Sequence, residues 1–440
     1  MSISIQLQHE FYDRLMESQY WPAEKRTAAQ HVQLERLVRH ARRHSPFYAE
    51  RLNALFDPGD RIDFDRWASV PPLQRSDLAE HGEAILAREL PAGHGPTLES
   101  RTSGSTGAAI AITDTMRVRD VTAATVMRRH AAHQLDVSGA LLFWLGDDPE
   151  KDVYPNAGVG GVWGPPWQAE ATGRVRLLNR FTPQEDVLRF IRDENVPYLS
   201  SRPIAAQALA LEAARSGGGS PLKAIVAFSM GPRPQERLDC QQWLGAKLIG
   251  VYASKEAHQI AFECPTGTHL HVNEETVLVE ILNDEGMPCG PGEIGRVVVT
   301  NLYNFAQPII RYEQGDLAVW GASACACGRT LRVLDRVVGR TMNLFRFPDG
   351  TKVAPFMPVT LAPLLGARYV QLAQVKPLEV EVRYVPDEGR TADREAAAAM
   401  VRHILHHEVD IRFRSEPDLV RIYGGKFMEV VCELDGPPRG

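Results

Sequence analysis

The sequence predicts an α/β protein in two parts. A large N-terminal part has mixed or parallel sheets flanked by helices, plus a barrel-like subdomain; a small α+β part closes the chain. Three observations predict this. Helix and strand patterns take turns from Pro183 to Tyr252, the rhythm of a parallel sheet with helices on its faces. From Glu275 the rhythm changes to strands and Gly/Pro turns, as in an antiparallel barrel. After Gly339-Arg340 about a hundred residues remain, the size of a small separate domain.

Taken in order, residues 1 to 55 read as helical. Leu34, Leu37, Val38 and Ala41 recur at i, i+3, i+4 and i+7, one face of a helix, and the Arg and His residues between them read as its solvated face. Pro46 and Pro58 interrupt this region. A helix is expected over Arg117–His133 and a buried strand over Ala140–Leu145. Asp147 to Trp167 is rich in Gly, Pro and aromatics, and reads as an irregular segment, either functional, with Trp163 and Trp167 in a substrate pocket, or a surface loop anchored on the core by its aromatics. Helices follow at Pro183–Glu194, Ile204–Arg215 and Pro234–Trp243, with strands at Tyr198–Ser200, Ala224–Phe228 and Lys247–Tyr252. Strands are expected at Thr276–Leu282 and Gly295–Leu302. In the last part they are expected at Tyr369–Val375, Leu378–Tyr384, Leu419–Tyr423 and Phe427–Leu434, with an Ala-rich helix over Asp393–His407.

The 440 residues carry 44% hydrophobic and 24% charged side chains, and the net charge is −6. That balance is globular and gives no electrostatic case for nucleic acid or an acidic membrane as partner. No run of about 18 apolar residues appears and no apolar leader opens the chain, so a cytoplasmic location is expected. Six cysteines are too few for a disulfide scaffold.

The chemistry centres on Arg101 to Ala109, R-T-S-G-S-T-G-A-A. Gly104 and Gly107 allow close backbone approach, and the hydroxyls of Ser103, Ser105 and Thr106 can converge with backbone N–H groups on phosphate oxygens. Taken alone, the loop reads more simply as an ordinary Ser/Gly turn between strands. Further segments decide between these: Phe228 to Pro234 (F-S-M-G-P-R-P) after a buried strand, Val251 to Glu256 (V-Y-A-S-K-E) after another, Pro308 to Leu317 (P-I-I-R-Y-E-Q-G-D-L) with Asp316 following a strand, Val333 to Arg340 (V-L-D-R-V-V-G-R), and Gly424 to Phe427 (G-G-K-F). Separately, Cys264, Cys325 and Cys327 with His271 or His269 supply donors suited to tetrahedral Zn²⁺, although C-x-C is a tighter spacing than usual.

In this order the segments resemble the adenylate-forming superfamily of acyl-CoA synthetases, nearest its phenylacetate-CoA ligase and capsule-biosynthesis-like branch. The resemblance runs from about residue 30 to the C-terminus. It implies a large domain over residues 1–339, its barrel-like part at about 260–335 holding zinc, and a small mobile domain over 340–440. It places the ATP phosphates at Ser103, Gly104, Ser105, Thr106 and Gly107. Adenine falls against Ser229, Met230, Gly231, Pro232 and Tyr252, next to Ala253 and Ser254. Asp316 takes the ribose hydroxyls with Arg340 and Arg336 beside it, Glu256 binds Mg²⁺, and Lys426 stabilises the adenylation transition state. His271, rather than His269, matches the branch's zinc pattern with Cys264, Cys325 and Cys327. His258 falls close to the acyl site, as a core histidine or a substrate contact.

The sequence also departs from the superfamily pattern. Ala108 replaces the loop lysine, Ala253 and Lys255 alter Y-G-x-[ST]-E, and Met342 occupies the hinge position. Lys255 is the candidate to restore the missing positive charge. The implied activity is an ATP-dependent acid–CoA ligase: an acid, of phenylacetate, benzoate or anthranilate type, becomes an acyl-AMP with release of pyrophosphate and then passes to coenzyme A. A homodimer is the branch's habit. The alternatives are transfer to an amine or a carrier-protein thiol, and a non-catalytic nucleotide-binding scaffold.

Overall fold

Apolar runs without alternation, such as Ala224–Phe228 (A-I-V-A-F), bury both faces and belong inside a parallel sheet. The computed structural model describes residues 3–101, 110–146, 148–228, 231–322, 325–340, 343–387, 389–417, 419 and 429–434. In it Ala224–Phe228 lies between Tyr198–Ser201 and Lys247–Ser254, parallel to both. Leu141–Gly146 pairs parallel with Tyr198–Ser201 and with Arg174–Asn179. Helix Pro203–Arg215 buries Ala206, Leu209, Ala210 and Ala213, one face at helical spacing, and helix Gln184–Asp193 buries Val187, Leu188 and Ile191. These faces share a core with Leu142, Trp144, Leu199, Ile225 and Leu248.

The same sheet continues antiparallel. Lys247–Ser254 pairs with His258–Glu263, which pairs with Leu270–Val272, which pairs with Val333–Arg340. Tyr312–Trp320, Ile294–Asn301 and Val277–Leu282 follow in that order, so the strands expected as a barrel-like part extend one twelve-stranded sheet. At its other edge lies Gly158–Val162. The segment expected to be irregular therefore contains an edge strand and a helical turn at Pro166–Ala171. Its sequence G-V-G-G-V has little strand propensity, and pairing with Arg174–Asn179 is what holds it.

Helices Ile3–Ser18 and Ala23–His44 open the chain, and Leu34, Leu37, Val38 and Ala41 are all buried as their spacing requires. Arg26, in the first turn of the second helix, is buried. Its Nε donates to Glu274 Oε2 at 3.0 Å, and its Nη1 donates to both Trp21 O and Thr330 Oγ1, each at 2.8 Å. Among the described residues no helix is long and apolar enough to cross a membrane.

The chain clusters into two units, Met1–Ser100, Ile112–Gln314 and Ala318–Val337 forming one, and Arg101–Ala111, Gly315–Leu317 and Val338–Gly440 the other. In the second, a four-stranded sheet has the order Asp410–Ser415, Glu379–Pro386, Ala367–Lys376, Val430–Cys432. Helix Arg394–Leu405 starts at Asp393, whose carboxylate accepts from Ala396 N at 2.9 Å. Its buried Val401 and Leu405 pack with Leu372 and Val382 of the sheet. Of the strand expected at Leu419–Tyr423, residues 420–423 lie outside the described residues; the strand expected at Phe427–Leu434 is present as Val430–Cys432.

Candidate active site

A three-residue turn, Lys255-Glu256-Ala257, joins the strands Lys247–Ser254 and His258–Glu263, with Ser254 opposite His258. Ser254 Oγ accepts from Ala257 N at 3.0 Å, and His258 closes the turn with φ of 56°. Histidine visits that left-handed conformation more readily than most side chains. The turn folds Glu256 inward while leaving Lys255 exposed. Glu256 is 7% exposed; its Oε1 accepts from Tyr312 Oη at 3.3 Å and its backbone carbonyl from Asn301 Nδ2 at 3.1 Å. Among the described residues its second carboxylate oxygen has no hydrogen-bond partner. Burial, reinforced by the Glu256 charge, pushes the Tyr312 phenol well above its ordinary value, so it stays a proton donor. Tyr252 is buried on the same strand as Ala253 and Ser254, which are partly exposed.

The turn after Ala224–Phe228 reaches Gly231 and Pro232; Ser229 and Met230 lie outside the described residues. Pro232 is buried against Gly250, where an added Cβ would stand 2.6 Å from Pro232 Cδ and 2.8 Å from Glu263 Oε2. Glu263 accepts from Gly250 N at 2.8 Å and takes both terminal nitrogens of Arg237, at 2.9 and 2.6 Å. The absence of a side chain at Gly250 thus lets the turn lie flat on the sheet. Gly250→Ala is expected to destabilise the protein by about 1–3 kcal/mol through overpacking. Thermal denaturation would register the loss.

Asp316 sits inside the strand Tyr312–Trp320 rather than after it, beside Gly315 at φ of 74°. Its Oδ1 lies 3.5 Å from Nε of Arg340, the last residue of Val333–Arg340, so these two expected partners do meet. Arg336 is exposed and pairs at 2.7 Å with its own neighbour, Asp335. The glycine loop, Ser103 to Gly107, lies outside the described residues, as do Ala108, Met342 and Lys426; the strands on either side of the loop, Thr97–Arg101 and Ala111–Thr115, are paired.

Trp163 and Trp167 are engaged elsewhere. Trp163 donates to Gly139 O at 2.9 Å and packs on Tyr198, while Trp167 stacks on His9 at 4.5 Å between ring centres. His258 meets a residue that the sequence did not single out: its Nε2 is 3.1 Å from Oδ1 of Asp114, which is wholly buried. Asp114 also accepts from Asn304 Nδ2 at 3.3 Å and pairs with Arg119 at 3.2 Å. A carboxylate in a short strand that opens on the apolar run Ile110-Ala111-Ile112 is the signal that would have found it.

The metal donors do converge. One ligand atom from each of Cys264, His271, Cys325 and Cys327 lies within 4.8 Å of all the others. Cys264 Sγ is 3.5 Å from Cys325 Sγ, and Cys327 Sγ is 3.3 Å from His271 Nε2. Burial pushes His271 down to about 4, so its imidazole is neutral at pH 7, the form that ligates. His269 also touches the cluster, its Nε2 at 3.1 Å from Cys325 Sγ. Three thiols and one imidazole at tetrahedral spacing fit Zn²⁺.

No protein-family model matches the chain. It is 28% identical over 339 residues to a phenylacetate-coenzyme A ligase of Thermus thermophilus, covering 73% of this chain and 72% of that protein. The phenylacetate-coenzyme A ligase of Escherichia coli is 24% identical over 333 residues, with 72% and 71% covered. Among solved structures, 2-hydroxyisobutyryl-CoA ligase in the postadenylation state with 2-HIB-AMP superposes with a TM-score of 0.70 at 19% identity, covering 95% of this chain and 93% of that one.

Proposed function

We propose, from the premise that the chain is a homologue of the phenylacetate-coenzyme A ligases and has the fold of the adenylate-forming superfamily, that it is an AMP-forming acid–thiol ligase. A carboxylate oxygen of the acid attacks the α-phosphorus of ATP, the bond to the bridging oxygen breaks, and pyrophosphate leaves. The thiolate of coenzyme A then attacks the acyl carbon and AMP leaves.

The observation that carries this reading is Glu256: a carboxylate folded under a hairpin turn, 7% exposed, with one oxygen engaged only by Tyr312. A charge so buried is costly unless a cation or strong donor completes it. Glu256 would hold Mg²⁺, which offsets phosphate charge when bound. Tyr312 orients the carboxylate, and Asn301 fixes the backbone of the turn. Asp316 and Arg340 form the pair proposed for the ribose hydroxyls. Lys426, by its match to the superfamily's C-terminal lysine, supplies positive charge to the attacked phosphate, and exposed Lys255 does so in place of the loop lysine. Cys264, His271, Cys325 and Cys327 would hold a structural Zn²⁺, tying the hairpin to the segment after Trp320.

The proposed acid is an aryl or arylacetic acid, a reading supported by similarity to two proteins named for phenylacetate. The test is pyrophosphate release from ATP against aromatic and aliphatic acids, with and without coenzyme A. Release that needs one acid and rises with coenzyme A is the expected result. Release indifferent to coenzyme A would redirect the acceptor to an amine or carrier protein. Silence with ATP still bound would favour a scaffold.

A further inference from the structure

We infer that His258, held by Asp114, reads a hydrogen-bond donor on the acid, so that the preferred substrate carries an O–H or N–H group besides its carboxyl. The inference rests on the ligase reading above and narrows its substrate class.

Three observations converge on it. Asp114 is wholly buried; its Oδ1 accepts from Asn304 Nδ2 and faces the imidazole at 3.1 Å, while its Oδ2 lies 3.2 Å from Arg119 without making a hydrogen bond. In the tautomer that donates Nε2–H to that carboxylate, Nδ1 is a lone-pair acceptor. Among the described residues Nδ1 has no partner. Next, His258 holds φ of 56° two positions after Glu256, where a residue without a side-chain task is more simply glycine. Finally, His258 lines a cleft with Val118, Val121, Thr122, Gln259, Asn301 and Tyr303, apolar and polar side chains together, whose free volume is about 10 Å³. That is room for one water-sized group. A hydroxyl or amino substituent fits such a slot and a ring does not. A histidine serving only as a core residue would not need the open nitrogen.

The experiment compares kcat/KM for pyrophosphate release with matched acids: hydroxy- and amino-substituted benzoic, phenylacetic and short aliphatic acids, each against its unsubstituted parent. The protein is expected to favour one donor-bearing acid over its parent by at least about 10-fold, the scale of a buried hydrogen bond left unmade. His258→Ala is expected to bring that ratio to within about twofold. His258→Asn, which tolerates the left-handed backbone, should lose the ratio too and guards against a folding defect in the alanine variant. A protein that turns over parent and substituted acids alike, or variants that keep the ratio, would overturn the inference and leave the ligase intact. Failure of every acid to release pyrophosphate would remove the ligase reading, and this inference with it.

Discussion

Glu256→Gln is expected to reduce acid-dependent pyrophosphate release by about 100-fold or more, the usual scale for losing one charged contact to a developing phosphate transition state. The replacement keeps the shape, and the amide oxygen can still accept from Tyr312 Oη, so the thermal midpoint should hardly move. A deficit relieved in part by raised Mg²⁺ would place the loss at the cation. If the variant retained full activity, Glu256 would be a packed turn residue and the metal ligand would have to be sought elsewhere. Tyr312→Phe is the graded companion: it removes the one side-chain hydrogen bond on Glu256 and leaves the charge, so its deficit should be smaller.

Loss of metal is the second large effect. Cys264 is fully buried, and Cys325 and Cys327 come from a segment 61 or more positions away, so one ion would bind two distant stretches together. Zinc stoichiometry near one per chain is expected, and Cys325→Ser should abolish it. The accompanying destabilisation should be several kcal/mol, lowering the thermal midpoint by on the order of 10 °C. Strong chelation should have the same effect, reversed by added Zn²⁺. A metal analysis that finds no bound zinc in the native protein would reduce the cluster to packed thiols.

The sequence displays what is local and hides what is distant. Ala224–Phe228 betrays itself as a central strand because both its faces are apolar, and Leu34 to Ala41 as a helix because its apolar residues recur at the helical period. The metal donors were legible because thiol and imidazole chemistry is rare enough to mark them. Arg26 and Asp114 were not, since the partners that bury them, Glu274 and His258, lie 248 and 144 positions away. Tyr312 stood inside a recognised motif without a role, because only the fold brings it to Glu256. Trp163 suggested a ligand pocket through its residue type, yet its indole N–H is answered by Gly139 and its ring by Tyr198.

The strand His258–Glu263 has a further consequence for how this protein can vary. Glu256 and His258 stand at its start; Glu263, which clasps Arg237 and Gly250, ends it, and Cys264 follows at once. Successive strand residues face opposite sides, so a one-residue insertion or deletion would exchange those sides. The carboxylate clasp and the thiol would be lost in a single event. The length of the strand is therefore fixed by what stands at its two ends.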